Sequence, residues 1–140
     1  MVDRLLIFGS AGLRATAVGL SGVILALHLA ALGFNASAMG LAVSLGLAGC
    51  AVGTFVVASV ADQWGRRATL IALALLMAAG GVALAWNHHP SVILLSLFVG
   101  MLNGMGRDRG AGVTVEQAML PRTTSEATRT TVFAWYNLTV

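Results

Sequence analysis

Two long stretches without a charge, separated by six polar residues, constrain this chain more than any other feature. Met39 to Ala61 runs 23 residues with no ionisable group except the Cys50 thiol, and Ala68 to Trp86 adds 19 more. The ~30 Å core of a bilayer takes about 20 helical residues, so each stretch can cross it. Between them lies Asp62-Gln63-Trp64-Gly65-Arg66-Arg67. So short a link permits only an antiparallel helical hairpin, with both of its inner ends on one membrane face. Arg66 and Arg67 make that face cytoplasmic by the positive-inside rule.

Composition points the same way. The chain is 58% hydrophobic and 9% charged, against the ~25% charged residues of ordinary soluble domains. The fold class is therefore all-α, a polytopic transmembrane helical bundle. The net charge of +3 comes from eight arginines and no lysine set against five acids. Those arginines are spread over helix-flanking turns rather than gathered in a patch with aromatics, which argues for membrane topology and against nucleic-acid binding. A single cysteine excludes an intramolecular disulfide, and Cys50 reads as a small residue packed within a helix. Ala36-Ser37-Ala38 resembles a signal-peptidase site. The apolar run before it, Ala15 to Gly33, is 19 residues long, beyond the 7 to 15 of a signal h-region, and is expected to be a retained helix.

In chain order, residues 1 to 14 form an amphipathic lead-in at the cytoplasmic interface, and helix 1 spans about 15–33 with His28 inside it. Gly33-Phe34-Asn35 is the outer turn; Asn35-Ala36-Ser37 matches a glycosylation sequon by pattern alone. Helix 2, about 38–61, carries Gly40, Gly46, Gly49 and Gly53, of which Gly49 and Gly53 form a GxxxG pair suited to close helix contact. Such a face either slides during a conformational cycle or packs statically, and static packing is the simpler expectation. Helix 3, about 68–86, ends at an interfacial Trp86. His88 and His89 follow in the next outer turn, without nearby carboxylates or thiolates to complete a metal site.

Helix 4 is expected as one span over about 91–118, stopping before Pro121. At ~1.5 Å per residue, Arg107 lies roughly 24 Å beyond Ser91, still inside the core. On a helical wheel Asn103, Arg107, Gly110, Thr114 and Gln117 share one stripe, while Arg109 and Glu116 share another direction and Asp108 a third. A cytoplasmic loop over 121–128 precedes the start of helix 5 at about 130–140. This last segment is half a span, so the chain reads as a fragment. Arg4, Arg14, Arg66, Arg67, Arg122 and Arg129 then all fall on one side. The expected location is a cell membrane, of bacterial inner-membrane type, with a cytoplasmic N-terminus.

The hairpin turn resembles that of the major facilitator superfamily of secondary transporters. The family form is a small residue, three residues, Asp, two residues, Gly and two basic residues; here these are Ala58, Asp62, Gly65, Arg66 and Arg67. Four spans before a fifth also match the family's opening. The resemblance implies the N-terminal part of a six-helix half, about a third of a twelve-helix transporter, with the remaining helices as partners. Ala58 stands in place of the usual glycine and Gln63 in place of a basic residue. Helix 4 is similar to the proton-antiporter signature in Asn103, Gly104 and Gly106, but its arginine is Gly100 here, which argues against proton-coupled drug export. The resemblance further implies that Asp62 docks against the other half and steadies the outward-facing state.

Charge placement bears on the turn independently. Asp62 ends one helix and Arg66 and Arg67 begin the next, so each meets the dipole end of its own sign and must have another partner. Asp62, Gly65, Arg66, Arg67 and Glu116 are therefore expected to form a cytoplasmic gate, with Glu116 paired to Arg66 or Arg67. Substrate or coupling candidates are Asn103, Arg107, Asp108, Arg109 and His28, because ionisable groups within spans face cavities or one another. The expected activity is alternating-access transport of a small solute, possibly with a coupling ion, within a lipid bilayer. Two alternatives are a small four-helix oligomeric exporter and a non-transporting scaffold or sensor. No nucleophile with a base, metal set or phosphate loop points to an enzyme, and no cofactor is expected.

Overall fold

The computed structural model describes residues 2–106 and 110–140. Among them the regular elements are helical: α1 Val2–Ala31, α2 Ala36–Trp64, α3 Arg66–Trp86, α4 Pro90–Val99, α5 Ala111–Met119, a 3₁₀ turn Leu120–Thr123 and α6 Glu126–Thr139. The bundle is all-α, and α1, α2 and α3 are long and apolar enough to cross a membrane.

Helix α1 is continuous, so the lead-in expected over residues 1 to 14 is the first part of helix 1. No proline interrupts it. Its buried residues Ile7, Ala11, Val18, Leu25 and Leu29 recur at one face of a helix from end to end. It stops where Gly33, at φ +80, enters the left-handed region. The Phe34 N–H then reaches the Leu29 carbonyl and the Gly33 N–H that of Ala30, both at 3.0 Å. This is a Schellman cap, which closes the last turn and satisfies carbonyls that the helix leaves free. Asn35 caps α2, its side chain accepting the Ala38 N–H at 2.9 Å, so the sequon asparagine is engaged in an N-cap.

The hairpin turn is shorter than six residues. α2 continues through Trp64, and Gly65 alone separates it from α3, with φ 88 and ψ 130. Glycine takes that conformation without a Cβ penalty. Gly49 of α2 and Gly80 of α3 lie 16 and 15 residues from Gly65, and both abut the end of α4, at Phe98 and Gly100. The two helices therefore run back antiparallel. Trp64 and Trp86 bracket α3 and are both largely exposed, as aromatic residues at the two interfaces of a span would be.

Helix 4 departs most from expectation. The span expected over 91–118 is two helices, α4 and α5, with a non-helical stretch after Val99. α4 ends in a second Schellman cap: the Leu102 N–H reaches the Leu97 carbonyl at 3.0 Å and the Met101 N–H that of Phe98 at 3.3 Å. Met101 occupies the left-handed slot at φ 53. The polar stripe dissolves as a result. Asn103 turns away on its own, Thr114 is exposed, and α5 buries Ala111, Gly112, Val115 and Glu116 instead. After Pro121 the loop is partly a 3₁₀ turn, and α6 starts four residues before the expected Thr130.

Glycines make room for the interrupted backbone. An added Cβ on Gly46 would collide with the Leu102 carbonyl, and one on Gly49 with that of Phe98. Small residues let backbones approach this closely where lipid supplies no hydrophobic drive. Gly53, the second member of the GxxxG pair, meets the Met101 side chain instead. Three apolar clusters surround this layer. One holds Leu25, Leu29, Ala42, Ile93, Leu97 and Leu102; a second joins Ile7, Ala11, Leu120, Val132 and Tyr136; a third joins Val57, Ala111 and Val115.

Candidate functional site

Glu116 is fully buried at 0% exposure, and its carboxylate organises three helices. Arg14 on α1 donates through both terminal nitrogens, to Oε1 at 2.8 Å and Oε2 at 2.7 Å. The Ser10 hydroxyl donates to Oε1 at 3.0 Å, and the Tyr136 hydroxyl on α6 to Oε2 at 2.7 Å. Four donors satisfy both oxygens, which is what a fully buried carboxylate requires. Phe8 packs edge-on against the Tyr136 ring, with centroids 6.1 Å apart.

This arrangement corrects the pairing expected of Glu116. Its partners are Arg14, Ser10 and Tyr136, not Arg66 or Arg67. The reason is orientation: Glu116 lies on the buried face of α5, while the α2–α3 hairpin reaches the C-terminal end of that helix. Arg66 donates to Asp62 Oδ1 through Nε at 3.1 Å and Nη2 at 3.0 Å, and through Nη1 to the Ala118 carbonyl. That carbonyl lies in the last turn of α5, where a cation meets the negative end of the helix dipole. The Asp62 side chain stays 79% exposed. Arg67 is exposed and makes no hydrogen bond among the described residues.

A cavity of about 550 Å³ lies between α1, α3, the break after α4 and α5. Leu13, Leu70, Leu73 and Met77 give it apolar walls, while Ser10, Arg14, Asn103 and Glu116 contribute its polar groups. Asn103 is 3% exposed. Its Oδ1 accepts the Met105 N–H at 3.2 Å and its Nδ2 donates to Cys50 Sγ at 3.8 Å. Cys50 in turn donates to the Met101 carbonyl at 3.2 Å. His28 does not line this cavity; its Nε2 is buried without a hydrogen-bond partner among the described residues. Arg107, Asp108 and Arg109 lie outside the described residues.

The sequence reading missed Ser10, Arg14 and Tyr136. A signal for Arg14 was present, since it falls in register with Ile7, Ala11, Val18 and Leu25 on the inward stripe of α1. A charge in such a stripe needs a buried counter-charge, and Glu116 supplies it.

The sequence from residue 7 to residue 140 matches the family model described as Major Facilitator Superfamily. The chain belongs to the major facilitator superfamily. A relative, an uncharacterized membrane protein of Saccharomyces cerevisiae, is 26% identical over 136 residues, covering 97% of this chain and 30% of that protein. The chain thus spans about 30% of the length of the curated relative it matches. No solved structure matches it. Family membership and the apolar helices α1 to α3 together make this a multi-pass membrane chain.

Proposed function

We propose that the protein of which this chain forms part moves a small solute across the membrane by alternating access, with the α2–α3 hairpin as part of the cytoplasmic gate. The observation that supports this reading is the Arg66 bridge, which ties the Asp62 carboxylate to the end of α5. One face of Asp62 remains open for a partner on another part of the protein. Any motion that parts the cytoplasmic ends of the helices must load or release this bridge. The N-terminus is then cytoplasmic, and the cavity between α1, α3 and α5 forms a wall of the solute path, with Asn103 as its contact residue. Arg107, Asp108 and Arg109 adjoin that wall in sequence and remain candidates for solute or coupling-ion contact.

The test begins with the intact protein in proteoliposomes and a panel of radiolabelled sugars, amino acids and organic acids. A solute showing counterflow is then used to compare wild type with Asp62→Asn. Transport should fall at least about tenfold, the scale of losing one gate interaction. Full transport by the variant removes the gate, and absence of counterflow across the panel removes the solute classes tested.

A further inference from the structure

The same cap closes α1 and α4, with one difference. At α1 the left-handed residue is Gly33; at α4 it is Met101, with φ 53. A side chain makes that conformation unfavourable, and a strained residue held by its surroundings marks a position with a close alternative. The holding groups are identifiable. Cys50 Sγ donates to the Met101 carbonyl, and Asn103 accepts the Met105 N–H while donating to the same sulfur. The alternative is also identifiable, because the apolar run from Ser91 carries on beyond Val99 with helix periodicity. Around the cap, neighbouring helices present glycine: Gly46 at Leu102, Gly49 at Phe98 and Gly80 at Gly100. At these points the α4 backbone rests on backbone rather than on side chains.

We propose that α4 exists in two lengths, the short form described above and a form extended by one turn across Gly100–Asn103, with Met101 as the residue that switches. In the extended form the N–H groups of Met101, Leu102 and Asn103 bond to the carbonyls of Leu97, Phe98 and Val99, four residues back. The Asn103 side chain leaves Met105 and Cys50, and its amide becomes free to face the cavity that Asn103 already lines. The length of α4 thereby sets whether the cavity holds an uncommitted amide. This inference rests on the α4 backbone and not on the transport reading.

Hydrogen exchange at the Asn103 amide reads the two forms directly, since that N–H is helix-bonded only when α4 is extended. The intact protein in lipid nanodiscs would be measured as wild type, Met101→Gly and Met101→Val by mass spectrometry with residue-resolving fragmentation. Glycine accepts the left-handed slot and valine resists it. Exchange at Asn103 should slow by about tenfold in M101V, the scale of a modest population shift, and stay within about twofold of wild type in M101G, because the short form already predominates. Equal exchange within twofold in all three proteins, or faster exchange in M101V, overturns the proposal. If M101V does not fold, Cys50→Ala decides: slower exchange at Asn103 supports two lengths, and unchanged exchange means that α4 is only short. Cys50→Ala gives an independent reading, because loss of the thiol donor should slow exchange at Asn103.

Discussion

At the scale of single residues, Glu116 is the most constrained group in the chain. Its carboxylate accepts four hydrogen bonds with no exposure, so removing its charge breaks the two-pronged ion pair with Arg14. Breaking a buried ion pair from one side costs on the order of 3 kcal/mol or more. Removing a single donor to a carboxylate costs about 1.5–3 kcal/mol. Glu116→Gln should therefore lower the unfolding midpoint in detergent more than Tyr136→Phe does, and the reverse order would contradict the weight given to the Arg14 pair. The sequence singled out this acid, but not its partner. Periodicity places Arg14 on the inward stripe of α1, whereas the positive-inside rule assigns it to the flank. The two rules conflict at the edge of a span, and only the position of α5 resolves them.

At the scale of elements, the glycines divide into those that hold helices together and those that do not. Gly46 and Gly49 lie against carbonyls of the α4 region, whereas Gly40 in the same helix has nothing within 4 Å of an added Cβ. Gly49→Ala should destabilise by about 1–3 kcal/mol through overpacking, while Gly40→Ala should be neutral or stabilise by up to ~1 kcal/mol through helix propensity. Thermal unfolding of both variants checks this contrast, and similar effects at the two sites would contradict the packing described. Asn35→Ala removes the α2 cap and should cost about 1 kcal/mol, seen first as faster amide exchange at Ala38. Small residues at helical spacing made the α2 contact face readable in advance. The break in helix 4 was not read from its glycines, Gly100, Gly104 and Gly106, because without a proline such residues occur as often inside a packed membrane span as at its end. What ends α4 is the fit of its backbone against glycines on α2 and α3, which no local pattern contains.

At the scale of the whole molecule, the hairpin brings both of its inner ends to one face, which the proposed orientation makes cytoplasmic. With Cys50 replaced by alanine, a cysteine at Gln63 should react with a membrane-impermeant maleimide only from the cytoplasmic side, and one at His88 only from the other. Labelling of both from one side would contradict a complete crossing by α3. By itself the sequence determined that this chain is an all-helical, multi-pass membrane protein and that its family is the major facilitator superfamily. These follow from uncharged length, arginine placement and a turn motif, all of which are local quantities. Only the tertiary structure decided that Glu116 pairs with Arg14 and Tyr136, that Arg66 links Asp62 to α5, and that the fourth span is interrupted. Each of those depends on which helix faces which, and that is set by contacts between residues distant in the chain, from Tyr136 and Glu116 to Glu116 and Arg14, that no sequence period records.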